Sequence, residues 1–185
     1  MRNGLIFTLI LMISQICMGA DKITSLSGAD VLNGEPKTIT TANHKATIVV
    51  FLSAKCPCSA SHEALLKELA QQYKDFQFVG IHSNSDETAE ETQKHFREAH
   101  LLFPVIQDTR SQWANKLGAL KTPHAFVLNP SGEMIYHGGV TDSHVGPSAK
   151  KQFLKEVLED LQAGKPSRHK EGRALGCYIQ RADEA

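Results

Sequence analysis

Three cysteines carry the chemistry that this sequence offers. Cys56 and Cys58 flank Pro57, and Cys177 lies near the end of the chain. The thiolate is the reactive form of cysteine, and a helix N-terminus stabilises it through unpaired N–H groups and the positive end of the helix dipole. Cys56 meets that condition: the residues after it repeat at helical spacing, and Pro57 suits a first helical turn. Cys56 is therefore the expected nucleophile, with Lys55 adding a positive charge beside it. Cys58 reads either as a small buried hydrophobe or as the partner in a tight Cys56–Cys58 disulfide, whose strain would make it easily reduced. Cys177 is the other expected resolving thiol, carried on a polar tail with Gly164, Pro166, Gly172 and Gly176.

Nine histidines open a second chemistry, since thiolate with imidazole holds Cu(I) or Zn²⁺. His62, His124 and His137 are the histidines considered for it, although His62 on an apolar face reads first as a satisfied buried histidine. His44, His82, His95, His100, His144 and His169 read as surface residues. The thiol chemistry needs no cofactor beyond the redox-active cysteines. Copper enters only in an alternative reading, a metallochaperone using Cys56 and Cys58.

The elements that must position these residues follow from periodicity. Residues 46–52 form a β-branched, apolar run of the kind found in a strand buried on both faces. Four residues later comes Cys56, and then an inward stripe of Cys58, His62, Leu65, Leu69 and Tyr73 on a helix. A strand at 77–81 precedes a helix carrying Ala89, Thr92, Phe96 and Ala99, and this alternation implies parallel strands joined by crossovers. Residues 103–106 are extended, and Thr109 with Gln112 suggests a capping box for a brief helix through Leu117. The Asn129-Pro130-Ser131-Gly132 turn joins strands at 124–129 and 133–137 into a hairpin. A final amphipathic helix carries Phe153, Leu154, Val157, Leu158 and Leu161 and stops at Gly164.

Composition bounds the rest. The 185 residues balance 20 Lys+Arg against 20 Asp+Glu and are 41% hydrophobic, which suits one packed domain and argues against an electrostatic nucleic-acid binder. Arg2, the apolar run from Leu5 to Ile13, and Gly19-Ala20 read as a secretory signal peptide of residues 1–20, whose core is too short for a spanning helix. Removing it takes Cys17 away and leaves Cys56, Cys58 and Cys177. An odd number cannot all pair internally, so at least one thiol is free, cycling, metal-bound or shared with a partner. Residues 21–164 then form the domain, and 165–185 a tail carrying Cys177. No membrane span is expected in the mature chain.

Several segments carry a family resemblance: Phe51-Leu52-Ser53-Ala54-Lys55-Cys56-Pro57-Cys58, the Thr122-Pro123 pair, Asn129-Pro130-Ser131-Gly132-Glu133, and Tyr136-His137-Gly138-Gly139. Over roughly residues 26–163 the chain resembles the redoxin branch of the thioredoxin superfamily, which includes the alkyl hydroperoxide reductase/thiol-specific antioxidant proteins. The resemblance implies a three-layer thioredoxin-like α/β fold with a central mixed β-sheet flanked by helices. It implies that Thr122 and a cis Pro123 position substrate beside the active cysteine, and that Ser53 stands where peroxiredoxins place a threonine. Two positions depart from the patterns. Ser59 replaces the second thioredoxin cysteine, and Val49 replaces the proline of the peroxiredoxin motif, so thiol–disulfide exchange is favoured over peroxide reduction. The expected function is an exported thiol-disulfide oxidoreductase, periplasmic or extracellular, with thiol-dependent peroxidase or antioxidant activity as its extension. The expected partners are protein or small-molecule thiols and disulfides, with peroxide as an oxidising substrate.

Overall fold

The computed structural model describes residues 22–181; the expected signal peptide lies outside the described residues, as does the end of the tail beyond Arg181. At the centre is strand β3 (Thr47–Leu52), whose six residues are all buried, preceded by a hairpin of β1 (Ser25–Ala29) and β2 (Pro36–Thr40). The apolar run of β3 is explained by its place in the sheet. It pairs in parallel with β4 (Gln77–His82) on one side and antiparallel with β7 (His124–Leu128) on the other. β5 (Val105–Gln107) extends the β4 edge in parallel, and β8 (Met134–Gly138) closes the opposite edge antiparallel to β7, giving the order β5-β4-β3-β7-β8.

Side-chain alternation along β3 divides the core in two. Ile48, Val50 and Leu52 meet Leu66 and Leu69 of α1 (Pro57–Gln72), Phe96 of α2 (Ala89–Ala99), and Leu154, Val157 and Leu158 of α4 (Phe153–Gln162). Val49 and Phe51 point the other way, to Leu26 and Ile39 of the first hairpin and to Ala114 and Leu117 of α3 (Gln112–Leu117). The result is the expected three-layer α/β arrangement with a mixed sheet. One outer layer is shared by a helix and the β1–β2 hairpin, which the sequence reading did not include.

Two local expectations change. The inward stripe of α1 runs through Ser59, His62, Glu63, Leu66 and Leu69, while Cys58 and Leu65 are only half-buried. Cys56 is the N-cap with Pro57 just inside, and this fixes the helix phase so that Ser59 turns inward. The brief third helix has no Thr109–Gln112 capping box. Asp108 does that work, accepting the Trp113 N–H at 2.9 Å and the Ala114 N–H at 2.9 Å, while residues 109–111 form a 3₁₀ turn. The tail is docked and includes a strand, β9 (Cys177–Tyr178), paired antiparallel with β6 (Lys121–Thr122).

Several contacts hold that tail. Arg168 grips the Asp160 carboxylate through Nε at 2.8 Å and Nη2 at 2.6 Å, a bidentate pair that drives the Asp160 pKa down to about 2. Further on, Gly172 N–H donates to the His137 carbonyl at 3.0 Å and Ile179 N–H to the Leu120 carbonyl at 3.0 Å. Ile179 itself is buried in the second core cluster. Among the described residues no helix is long and apolar enough to cross a membrane.

Candidate active site

Strand β3 ends at Leu52, and the loop Ser53-Ala54-Lys55 delivers Cys56 to the N-cap of α1. Its sulfur accepts the Ser59 N–H at 3.4 Å, which places one unpaired donor of the helix terminus on the thiol. Across the site the Cys56 sulfur is 3.1 Å from the Thr122 carbonyl oxygen, and the Thr122–Pro123 bond is cis. The expected cysteine, helix start and proline are thus brought together.

Cys56 sits at the helix start but only 2% of it is exposed. β9 lies over it: Cys177 is the bridge partner of Thr122, the residue whose carbonyl meets Cys56. The sulfurs of Cys56, Cys58 and Cys177 all lie within 4.8 Å of one another, and all three are free thiols.

This crowding separates the three acidities. Burial pushes the Cys56 thiol up, but the neighbouring Cys177 and the Ser59 N–H at the helix start outweigh it, and its pKa is lowered. Cys58 is raised by burial and by the negative charge of Cys56. Cys177 is pushed up to about 12, by burial first and then by its hydrogen bond and proximity to Cys56. Of the three thiols, Cys56 is thus the one whose ionisation its surroundings favour.

Beneath the loop lies a buried polar network that the sequence reading missed. Ser53 Oγ accepts the Cys56 N–H at 3.0 Å and donates to Glu87 Oε1, while Glu87 Oε2 accepts the Ala54 N–H at 2.7 Å. His82 Nε2 is 3.0 Å from the same carboxylate oxygen, and its Nδ1 is 2.9 Å from Gln107 Oε1. Glu87 remains ionised below the usual carboxylate range: burial opposes this, but hydrogen bonds from His82, Ser53 and Ala54 prevail. The sequence signal was a Glu and a His near the ends of an apolar strand, a pairing too common to single out. Ser53 thus contacts the cysteine loop from below, and its hydroxyl is held between Cys56 and Glu87.

The histidines divide differently from the expectation. His82, expected at the surface, is 1% exposed. His62 is buried with both ring nitrogens engaged, Nδ1 2.7 Å from the Cys58 carbonyl and Nε2 2.8 Å from Thr141 Oγ1, and burial lowers its pKa. His124 packs its ring on Phe126 at 4.4 Å, and burial beside His137 lowers its pKa to about 4. His144, instead, places Nδ1 3.7 Å from the Cys58 sulfur. Among the described residues the three cysteines form the group able to converge on a metal ion, and no histidine belongs to it.

Residues 43–134 match a family model described as thioredoxin-like. A comparison with curated protein sequences finds no match. Among solved structures the chain is similar to an uncharacterized conserved protein from Geobacillus kaustophilus, with a TM-score of 0.79 at 23% identity over 90% of this chain and 93% of the other. It is also similar to a hypothetical protein from Sinorhizobium meliloti 1021, with a TM-score of 0.78 at 22% identity over 89% and 95%. A secreted disulfide oxidoreductase from Mycobacterium tuberculosis matches at a TM-score of 0.52 and 17% identity, over 59% of this chain and 79% of that one. With a mixed sheet in thioredoxin order and a cysteine at the first strand-to-helix junction, the chain has a thioredoxin-like fold.

Proposed function

We propose that this protein is an exported thiol-disulfide oxidoreductase in which Cys56 is the nucleophile and Cys177 the resolving thiol. The observation that carries the reading is the convergence of three free thiols at the N-cap of α1, with the lowered pKa on Cys56 alone. In the reducing direction the Cys56 thiolate attacks one sulfur of a substrate disulfide. A mixed disulfide forms, and the other substrate sulfur leaves as a thiolate. A second enzyme thiol, deprotonated as it attacks the Cys56 sulfur, then breaks the mixed disulfide and displaces the remaining substrate sulfur as a thiolate. The substrate leaves with two electrons and the enzyme keeps an internal disulfide, which an external dithiol reduces.

Both Cys58 and Cys177 are close enough to resolve, and the tail gives Cys177 the advantage. A Cys56–Cys58 bridge closes a ring across a single proline, against the relaxed separation of a disulfide. Cys177 arrives on a separate strand already seated beside Cys56. Ser53 and Glu87 hold the loop, Thr122 offers its backbone to the approaching strand, and Pro123 shapes that edge. The expected signal peptide supports export to a periplasmic or extracellular space, where disulfides persist.

Turnover of a protein disulfide and of hydrogen peroxide by the full chain, with Cys56→Ser as control, tests the assignment. Disulfide turnover that vanishes in Cys56→Ser supports it, and turnover unchanged in that variant rejects it. Peroxide consumption dependent on Cys56 would instead place the protein among thiol peroxidases, a reading that Val49 makes less favoured.

A further inference from the structure

We propose that the fully reduced protein binds one Cu(I) ion in a site made of three thiolates, Cys56, Cys58 and Cys177, closed by the docked tail. The inference goes beyond thiol exchange and stands on the cluster's geometry. A metal–sulfur bond of about 2.3 Å sets trigonal sulfurs about 4 Å apart, inside the 4.8 Å within which all three lie. Two ligands come from the first turn of α1 and its cap. The third comes from a strand fixed by the Cys177–Thr122 pairing, so the donors are assembled before the ion arrives.

Ligand type selects the ion. Three sulfurs without an oxygen or nitrogen suit a soft monovalent cation, whereas Zn²⁺ asks for a fourth ligand. The nearby imidazoles do not supply one. His62 has both nitrogens engaged, and His144 approaches Cys58 at 3.7 Å but stands outside the mutually close set. Binding is an exchange without redox change: one Cu(I) joins three sulfurs, and each sulfur that carried a proton releases it.

The site differs from a carrier built on Cys56 and Cys58 alone, because Cys177 is a required ligand. Loss of outer partners of metal ligands already costs about 10–100-fold in affinity, so removal of a ligand sulfur lowers it at least about tenfold. The full chain, reduced under anaerobic conditions, is titrated with Cu(I) against the chromogenic chelator bicinchoninate, and the product is examined by X-ray absorption. The expected result is one Cu(I) per chain with three sulfur neighbours, falling to two sulfurs and weaker retention in Cys177→Ser. Should that variant fail to fold, Cys58→Ser gives the same readout. Equal affinity and coordination in the variants, nitrogen in the first coordination shell, preference for Zn²⁺, or complete loss of copper to the chelator from the wild-type chain would each overturn the proposal. Disulfide turnover of the metal-free proteins, measured separately, reports on the exchange reaction alone, so either reading can fail without the other.

Discussion

Cys177 is paired across an antiparallel bridge with Thr122, and the carbonyl of Thr122 is 3.1 Å from the sulfur of Cys56. One residue thus touches both the nucleophile and the strand that covers it. The tail strand occupies the backbone edge that an extended substrate would use, with a cysteine at the point nearest the nucleophile. Exchange with a folded partner therefore requires the tail either to react or to move.

The first prediction concerns acidity. Cys177 and the Ser59 N–H favour the Cys56 thiolate, so alkylation of Cys56 in the reduced protein should be half-maximal at a lower pH than that of Cys58 or Cys177. Cys177→Ala removes a donor to the thiolate and should move the Cys56 midpoint upward. Site-resolved mass spectrometry after brief iodoacetamide pulses measures both. A Cys56 midpoint unmoved in Cys177→Ala would show that the tail does not tune it.

Oxidation should report the resolving partner. Mild oxidation is expected to link Cys177 to Cys56, with linkage to Cys58 as the lesser product, and mapping of non-reduced peptides identifies the bridge. An exclusive Cys56–Cys58 disulfide with Cys177 free would remove the tail from the exchange reaction.

Gly176 lets the tail approach the Thr122–Pro123 backbone closely. It lies at φ 152°, and a Cβ there would collide with the Thr122 carbonyl oxygen. Gly176→Ala should therefore dislodge β9, expose Cys56 and raise its alkylation rate at a fixed high pH where the thiol is ionised. The fold should survive, since the main clusters draw only Ile179 from this segment. Hydrogen exchange at Ile179, whose N–H is bonded to Leu120, should quicken in parallel.

Glu87 should prove a stability residue beneath the site. Its side chain is fully buried and accepts from Ser53 and Ala54 while contacting His82. Glu87→Ala leaves those groups unpaired and should cost about 1–3 kcal/mol for each donor that finds no water, read as a lower denaturation midpoint. The pH sign follows from a carboxyl held below its unfolded value of about 4.3. Its contribution is present above that unfolded pKa and is lost as pH falls through the lower folded pKa. The stability difference between wild type and Glu87→Ala should narrow accordingly in acid.

Local pattern determined much of this protein. The apolar run of β3 is legible because a strand covered on both faces excludes polar side chains, and the Pro57 start of α1 because proline tolerates a first helical turn. Together they put Cys56 at a helix N-terminus before any fold is known. What the sequence left open depends on contacts between distant segments. Thr122 and Cys177 meet only because the chain returns across the sheet edge, and short tail strands have no periodicity to announce them. The burial of His82 with Glu87 and the inward turn of Ser59 in place of Cys58 likewise follow from which face each element presents once packed. Periodicity specifies which side chains avoid water, whereas the pairing of polar groups and thiols requires the three-dimensional placement of the segments that carry them.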